Sequence, residues 1–144
     1  MNSSAIMTRE VVVVSPTVTV SAAARMMDRL RIRHLPVVAA GQLAGILSDR
    51  DLLRRAPDTS CGEAMSAAPV TCSAETTVGC IAELMIERRI DSVPVVDRSG
   101  LLTGLVTSTD LLWLLVDRDQ SRALPFTFTL RAAGSDHEAS ALAA

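Results

Sequence analysis

The chain has 144 residues, 49% of them hydrophobic, with 14 basic residues, 16 acidic ones and a formal net charge of -2. That length and apolar supply suit one compact domain with a real core and argue against disorder, while no apolar run approaches the roughly 18 residues of a membrane span. Every basic residue is arginine, placed so that residues 1–57 carry a net +4 and residues 58–144 a net -6; with so few aromatics to stack on bases, a small anion is a better partner than nucleic acid.

In chain order, Val11 to Val14 is a short β-rich run closed by Ser15-Pro16. It is too short for the apolar core of a secretory signal, and Arg9 and Glu10 stand where that core belongs, so it reads as a first strand. Thr19 then caps a helix from Val20 to about Arg31, with Val20, Ala23, Ala24, Met27 and Leu30 on one face. His34–Val38 and Leu43–Leu47 form two apolar strands joined by a tight turn, a hairpin. Ser48 caps a second helix that Pro57 stops.

After a linker at residues 57–62 the pattern recurs: a strand at Val70–Cys72, a helix at Thr77–Arg88, a hairpin at Ser92–Thr107 and a helix from Asp110 to about Arg122. Met7 and Met65, Val20 and Val78, and Pro36 and Pro94 are each 58 residues apart, whereas Gly45 and Gly104, and Asp51 and Asp110, are 59 apart. One residue was therefore inserted in the hairpin turn of a duplicated unit. The fold class is α/β (α+β): two β-α-β-β-α repeats packed with pseudo-two-fold symmetry, sheet to sheet, because neither repeat alone covers both faces of its sheet. The repeats span residues 5–57 and 63–118, and residues 119–144 form a tail with an alternating, strand-like stretch at 126–130 and no clear element at 132–144.

Cys61, Cys72 and Cys80 are odd in number and lack CxxC spacing, which indicates reduced thiols in a cytoplasmic protein. No nucleophile elbow, phosphate-binding glycine loop or zinc-helix motif is present, so binding without turnover is the economical reading.

The chemistry is carried by a pattern present in both copies: Gly, two apolar residues, Ser or Thr, two variable residues, Asp. A strand ending at a helix N-terminus gathers free N–H groups and the positive end of the dipole, which suits a phosphate. The hydroxyl of Ser48 or Thr107 adds a donor, and Asp51 or Asp110 places a carboxylate where it can accept both hydroxyls of a ribose. Ser or Thr followed three residues later by an acid is equally the signature of a capping box, and the two readings carry even weight on this motif alone. Arg31, Arg33 and His34 ahead of Pro36, and Arg88 and Arg89 ahead of Pro94, are candidates to complete an anion cleft, since arginine matches phosphate geometry bidentately. The first copy is the better charged, because Asp91 and Ser92 stand where the first repeat has Arg33 and His34.

These residues resemble the duplicated CBS domain, named after cystathionine beta-synthase, whose tandem pair is called a Bateman module. Met7-Thr8 with Val11–Pro16, Arg33–Val38 and Gly45–Asp51, then Ala64–Ser66, Val93–Val96 and Gly104–Asp110, carry the likeness over about residues 5–118. The resemblance implies a regulatory module that needs no cofactor and binds AMP, ADP, ATP or S-adenosylmethionine in clefts between the repeats, with frequent homodimerisation. Asp51 and Asp110 would hold ribose, Ser48 and Thr107 would meet phosphate or sugar, and Thr17-Val18 and Glu75-Thr76 would contact the base. Arg50, Arg89, Thr109, Pro36 and Pro94 complete the candidate set. A ligand-free dimeric scaffold, built on the Leu111–Val116 helix or the 126–130 stretch, is the alternative; the regulated protein is unknown.

Overall fold

The computed structural model describes residues 1–118, 129–130 and 139–140. The chain divides into two compact units, Met1–Leu112 and Trp113–Ala144.

The first repeat holds helix α1 (Val20–Leu30), strands β1 (His34–Ala39) and β2 (Gln42–Ser48) and helix α2 (Asp49–Leu53). At the entry to the second repeat lie the short helix α3 (Cys61–Ala64) and strand β3 (Ser66–Ala67). The second repeat holds α4 (Val78–Arg88), β4 (Ser92–Val96), β5 (Leu102–Thr107) and α5 (Ser108–Arg118). Caps account for the boundaries: the hydroxyls of Thr19 and Thr77 accept from the N–H groups of Ala22 and Cys80 at the starts of α1 and α4. Both helices end on an arginine in the left-handed region, Arg31 and Arg89, each at φ 53°. That conformation closes a helix at some cost to a residue with a Cβ.

The first strand of each repeat is smaller than its sequence pattern implies. It contracts to one parallel bridge, Val14 to Val37 in the first repeat and Cys72 to Val95 in the second. In each bridge the N–H of Val14 or Cys72 bonds the carbonyl of Pro36 or Pro94, and Val38 or Val96 donates back. A single bridge makes no demand on the N–H that proline lacks, which is how Pro36 and Pro94 sit fully buried inside a sheet. Helix α2 stops at Leu53, short of Pro57, and its last turn tightens: the N–H groups of Arg54 and Arg55 bond the carbonyls of Asp51 and Leu52, three residues back. The linker contains α3, started by a capping box between Ser60 and Glu63. The Ser-x-x-Glu spacing was a legible signal for it.

The joint between repeats is an exchange of edge strands. Strand β3, in the entry segment of the second repeat, pairs with β2 of the first through Gly45–Ala67 and Ile46–Ser66. Thr8, in the entry segment of the first repeat, bridges Leu105 of β5. The buried residues form two clusters, one per repeat, and each is completed from across the joint: Cys61, Ala64 and Met65 join the first, Ile6 and Met7 the second. Met65 lies over Gly45 and Met7 over Gly104, where a Cβ on either glycine would collide with methionine side-chain atoms. The glycine of the repeated motif is thus a crossing point for the other repeat's chain.

In the second unit, β6 (Thr129–Leu130) pairs antiparallel with β7 (Ala139–Ser140). Thr129 and Leu130 belong to the alternating stretch at 126–130, and Ala139 and Ser140, where the sequence offers no clear element, supply their partner. Residues 126–128, and the expected end of α5 near Arg122, lie outside the described residues.

Candidate functional site

Strand β2 ends at Ser48, whose extended backbone (φ -108°, ψ 163°) turns the chain into α2. The Asp51 carboxylate reaches back, its Oδ2 accepting from the Ser48 N–H at 2.8 Å and the Ser48 hydroxyl at 3.0 Å. Thr107 and Asp110 repeat this at 2.7 and 2.9 Å. The capping reading of the motif is therefore realised in both copies, and it consumes the hydroxyl proton that phosphate binding was expected to use.

The first-turn N–H groups of α2 are occupied as well. Asp49 donates to the Arg33 carbonyl at 3.0 Å, Arg50 to Asp49 Oδ1 at 3.0 Å and Asp51 to Ser48 Oγ at 3.3 Å. With only five residues, α2 also has a small dipole, so this helix end makes a poor phosphate cradle.

A cavity of about 330 Å³, within the size range of small-molecule sites, opens beside the cap. The first repeat contributes His34, Ile46, Leu47, Ser48, Arg50 and Asp51. The exchanged segment contributes Ser66 to Val70, and the second repeat contributes Arg89 to Ser92. Both capping bonds of Asp51 fall on Oδ2, so among the described residues Oδ1 keeps its accepting capacity, and Asp51 lines the cavity. Burial pushes the His34 imidazole below its ordinary pKa, against the opposing pull of Asp91, Asp49 and Asp51, so the ring is mostly neutral at pH 7.

Five of the sequence-based candidates meet in this cavity: His34, Ser48, Arg50, Asp51 and Arg89. Arg31 and Arg33 are not on its wall. Arg31 closes α1, and Arg33 Nε pairs with Asp49 Oδ2 at 3.0 Å on the surface. Desolvation pushes the Asp49 carboxyl up, but the hydrogen bond and charge of Arg33 outweigh it and hold the pKa below its usual value. Pro36 and Pro94 are buried in their strands. Thr17 and Val18 lie in a turn where the Val18 carbonyl accepts from Cys61, and Glu75-Thr76 lie in one where the Thr76 carbonyl accepts from Ser3. Neither pair lines the cavity. Thr107, Thr109 and Asp110 stand at the equivalent mouth of the second repeat, the junction where β5 meets α5.

The wall residues that sequence reasoning passed over are mainly Ala67 to Val70, with Asp91 and Ser92 assigned to the other cleft. Their signal was the strand exchange itself: a repeat whose methionine-led entry segment is duplicated can lend that segment to its twin. Among the described residues no group of His, Cys, Asp or Glu could hold a metal ion. Cys61 and Cys72 are buried free thiols, and burial raises the pKa of both. No described helix is long and apolar enough to cross a membrane.

Comparison with known proteins agrees with this architecture. The chain matches the CBS domain family twice, over residues 4–58 and 61–117. It is 33% identical to the CBS domain-containing protein YhcV of Bacillus subtilis over 111 residues, 73% of this chain and 79% of that protein. The CBS domain pair of protein MJ0100, solved with 5'-methylthioadenosine and S-adenosyl-L-methionine, superposes with a TM-score of 0.78 at 25% identity, covering 83% of this chain and 98% of that one. The cytosolic domain of the Mg2+ channel MgtE, solved with ATP, gives 0.70 at 34% identity, covering 78% and 48%. The chain spans about a quarter of the length of the first curated relatives it matches, 24%, 23% and 22% of three of them.

Proposed function

Because the chain belongs to the CBS domain family, with two CBS domains in tandem, we propose that it is a regulatory module that binds an adenosine-containing ligand in the cavity between its repeats and carries out no reaction on it. One observation carries the reading: a single cavity draws its wall from the first repeat, the exchanged segment and the second repeat together. A ligand seated there touches all three and ties their relative positions to its own occupancy. Binding therefore becomes a change in how the repeats are held.

Roles follow from chemistry. Asp51 Oδ1 accepts a ribose hydroxyl while Oδ2 stays in the cap. Ile46, Ile90 and the Ala67–Val70 segment supply apolar surface for a flat base, and Arg50 and Arg89 at the rim meet whatever charge the ligand carries. Related CBS proteins have been solved with S-adenosyl-L-methionine, 5'-methylthioadenosine and ATP, which supports the ligand class.

A thermal-shift series with AMP, ADP, ATP and S-adenosylmethionine tests the proposal. A ligand at a hundred times its Kd adds about 2.7 kcal/mol of stability, and Asp51→Ala should remove that gain while leaving a folded protein. Absence of any shift at millimolar ligand overturns it. In favour of the alternative, a homodimeric scaffold, Leu112, Trp113, Leu115 and Val116 on α5 are each about 60% exposed. We place the homodimer contact on that face, and light scattering on the same samples reads whether ligand alters the mass.

A further inference from the structure

The regulatory reading leaves open which adenosine compounds the cavity prefers, and its charges bear on that question. Resting on that reading, we infer that Asp91 makes the cavity select adenosine ligands of low negative charge, whether neutral, zwitterionic or cationic, and turn away polyphosphates.

Three observations converge. First, the charged wall residues cancel: Arg50 and Arg89 are matched by Asp51 and Asp91, and His34 adds nothing when neutral. Because all four groups line one cavity of about 330 Å³, a phosphate admitted for the arginines also feels both carboxylates. Second, the helix end that would cradle a phosphate has spent its N–H groups of Asp49, Arg50 and Asp51 on Arg33, Asp49 and Ser48. Third, the position that carries Asp91 in the second repeat carries Arg33 in the first, and Arg33 is held away from this cavity by Asp49. The cavity beside the better-charged motif thus receives the acidic member of the Arg33/Asp91 pair.

Asp91 is a specificity residue by exclusion: like charge raises the free energy of the wrong ligand without improving the right one. One carboxylate facing a multiply charged phosphate chain at this range weakens binding by about tenfold.

The test is calorimetric titration of the whole chain, without divalent cation and at fixed salt, with 5'-methylthioadenosine, S-adenosylmethionine, AMP and ATP. The wild type should bind the first two more tightly than AMP, and AMP more tightly than ATP. Asp91→Arg, which copies Arg33 into the cavity, should tighten ATP by about tenfold or more and leave neutral 5'-methylthioadenosine nearly unchanged. Asp91→Asn should fall between. Asp51→Ala separates this cavity from the second mouth, since only binding that it abolishes counts. If the wild type holds ATP as tightly as the neutral ligand, or if Asp91→Arg moves all four ligands alike, the selectivity is wrong and the ligand class stands. If no adenosine compound binds, both are overturned.

Discussion

The two repeats share a scaffold and differ in chemistry. Each has a hydroxyl-capped first helix that ends on a left-handed arginine. Each also has a buried proline bridged from its carbonyl, a glycine crossed by the other repeat's methionine, and an Asp that closes a capping box. Yet Arg33, His34 and Arg50 of the first repeat correspond in position to Asp91, Ser92 and Thr109 of the second. Duplication kept what packing and hydrogen bonding demand and let the mouth residues drift apart. The exchange of edge strands compounds the effect, because the cavity at Asp51 mixes a motif from the first repeat with a rim from the second.

The sharpest break of this comparison lies at the two crossing points. At Gly45 an added Cβ meets the Ser66 carbonyl oxygen at 2.7 Å as well as the Met65 side chain, and the backbone of a paired strand cannot step aside. At Gly104 the nearest atoms are the sulfur, Cγ and Cβ of Met7, at 2.5, 2.9 and 3.2 Å, all in a flexible side chain. Gly45→Ala should therefore cost about 1–3 kcal/mol and Gly104→Ala clearly less, read from urea midpoints at unchanged slope. Equal losses would show that the two crossings are mechanically alike.

These crossings also mark how far the sequence could be read. The duplicated unit, the helix caps at Thr19 and Thr77, both hairpins and the Ser48/Asp51 and Thr107/Asp110 pairs were legible because they are local: a cap or a period is written within a few residues. The partnership of Ser48 with Arg89 and Ala68 rather than Arg31 was not. It depends on which repeat receives β3, a choice made by long-range pairing that leaves no local signature. The glycines at 45 and 104 were read as part of a ligand motif, whereas their neighbours in space are methionines. Helix α3 was the exception, a local feature whose Ser60–Glu63 box lay in plain view.

A smaller difference separates His34 from Ser92, since only one of the pair titrates. Burial lowers the folded-state pKa of His34 below 6.5, so the unfolded chain binds the proton more readily. The contribution is present in full above about pH 6.5, is lost as pH falls from there through the lowered folded value, and stability rises with pH across that window. Melting temperatures between pH 5 and 8 should show this slope in the wild type and a flatter one in His34→Gln. A matching slope in both would assign the effect to the carboxylates around it. His34 lines the cavity, so a bound adenosine ligand that buries it further should steepen the dependence.

The smallest effect belongs to the ion pair that replaces a cavity contact. Arg33 and Asp49 are 63% and 43% exposed, and their 3.0 Å contact spends much of its Coulomb energy on holding two side chains in place in water. Arg33→Ala should cost no more than about 0.5 kcal/mol and fade with added salt. The Arg33 backbone carbonyl, which accepts from Asp49 N–H at 3.0 Å, survives the change and keeps α2 started. Because the side chain lies off the cavity wall, the variant should leave ligand affinity at the Asp51 mouth unchanged. A loss of affinity there in calorimetry would place Arg33 back among the binding residues.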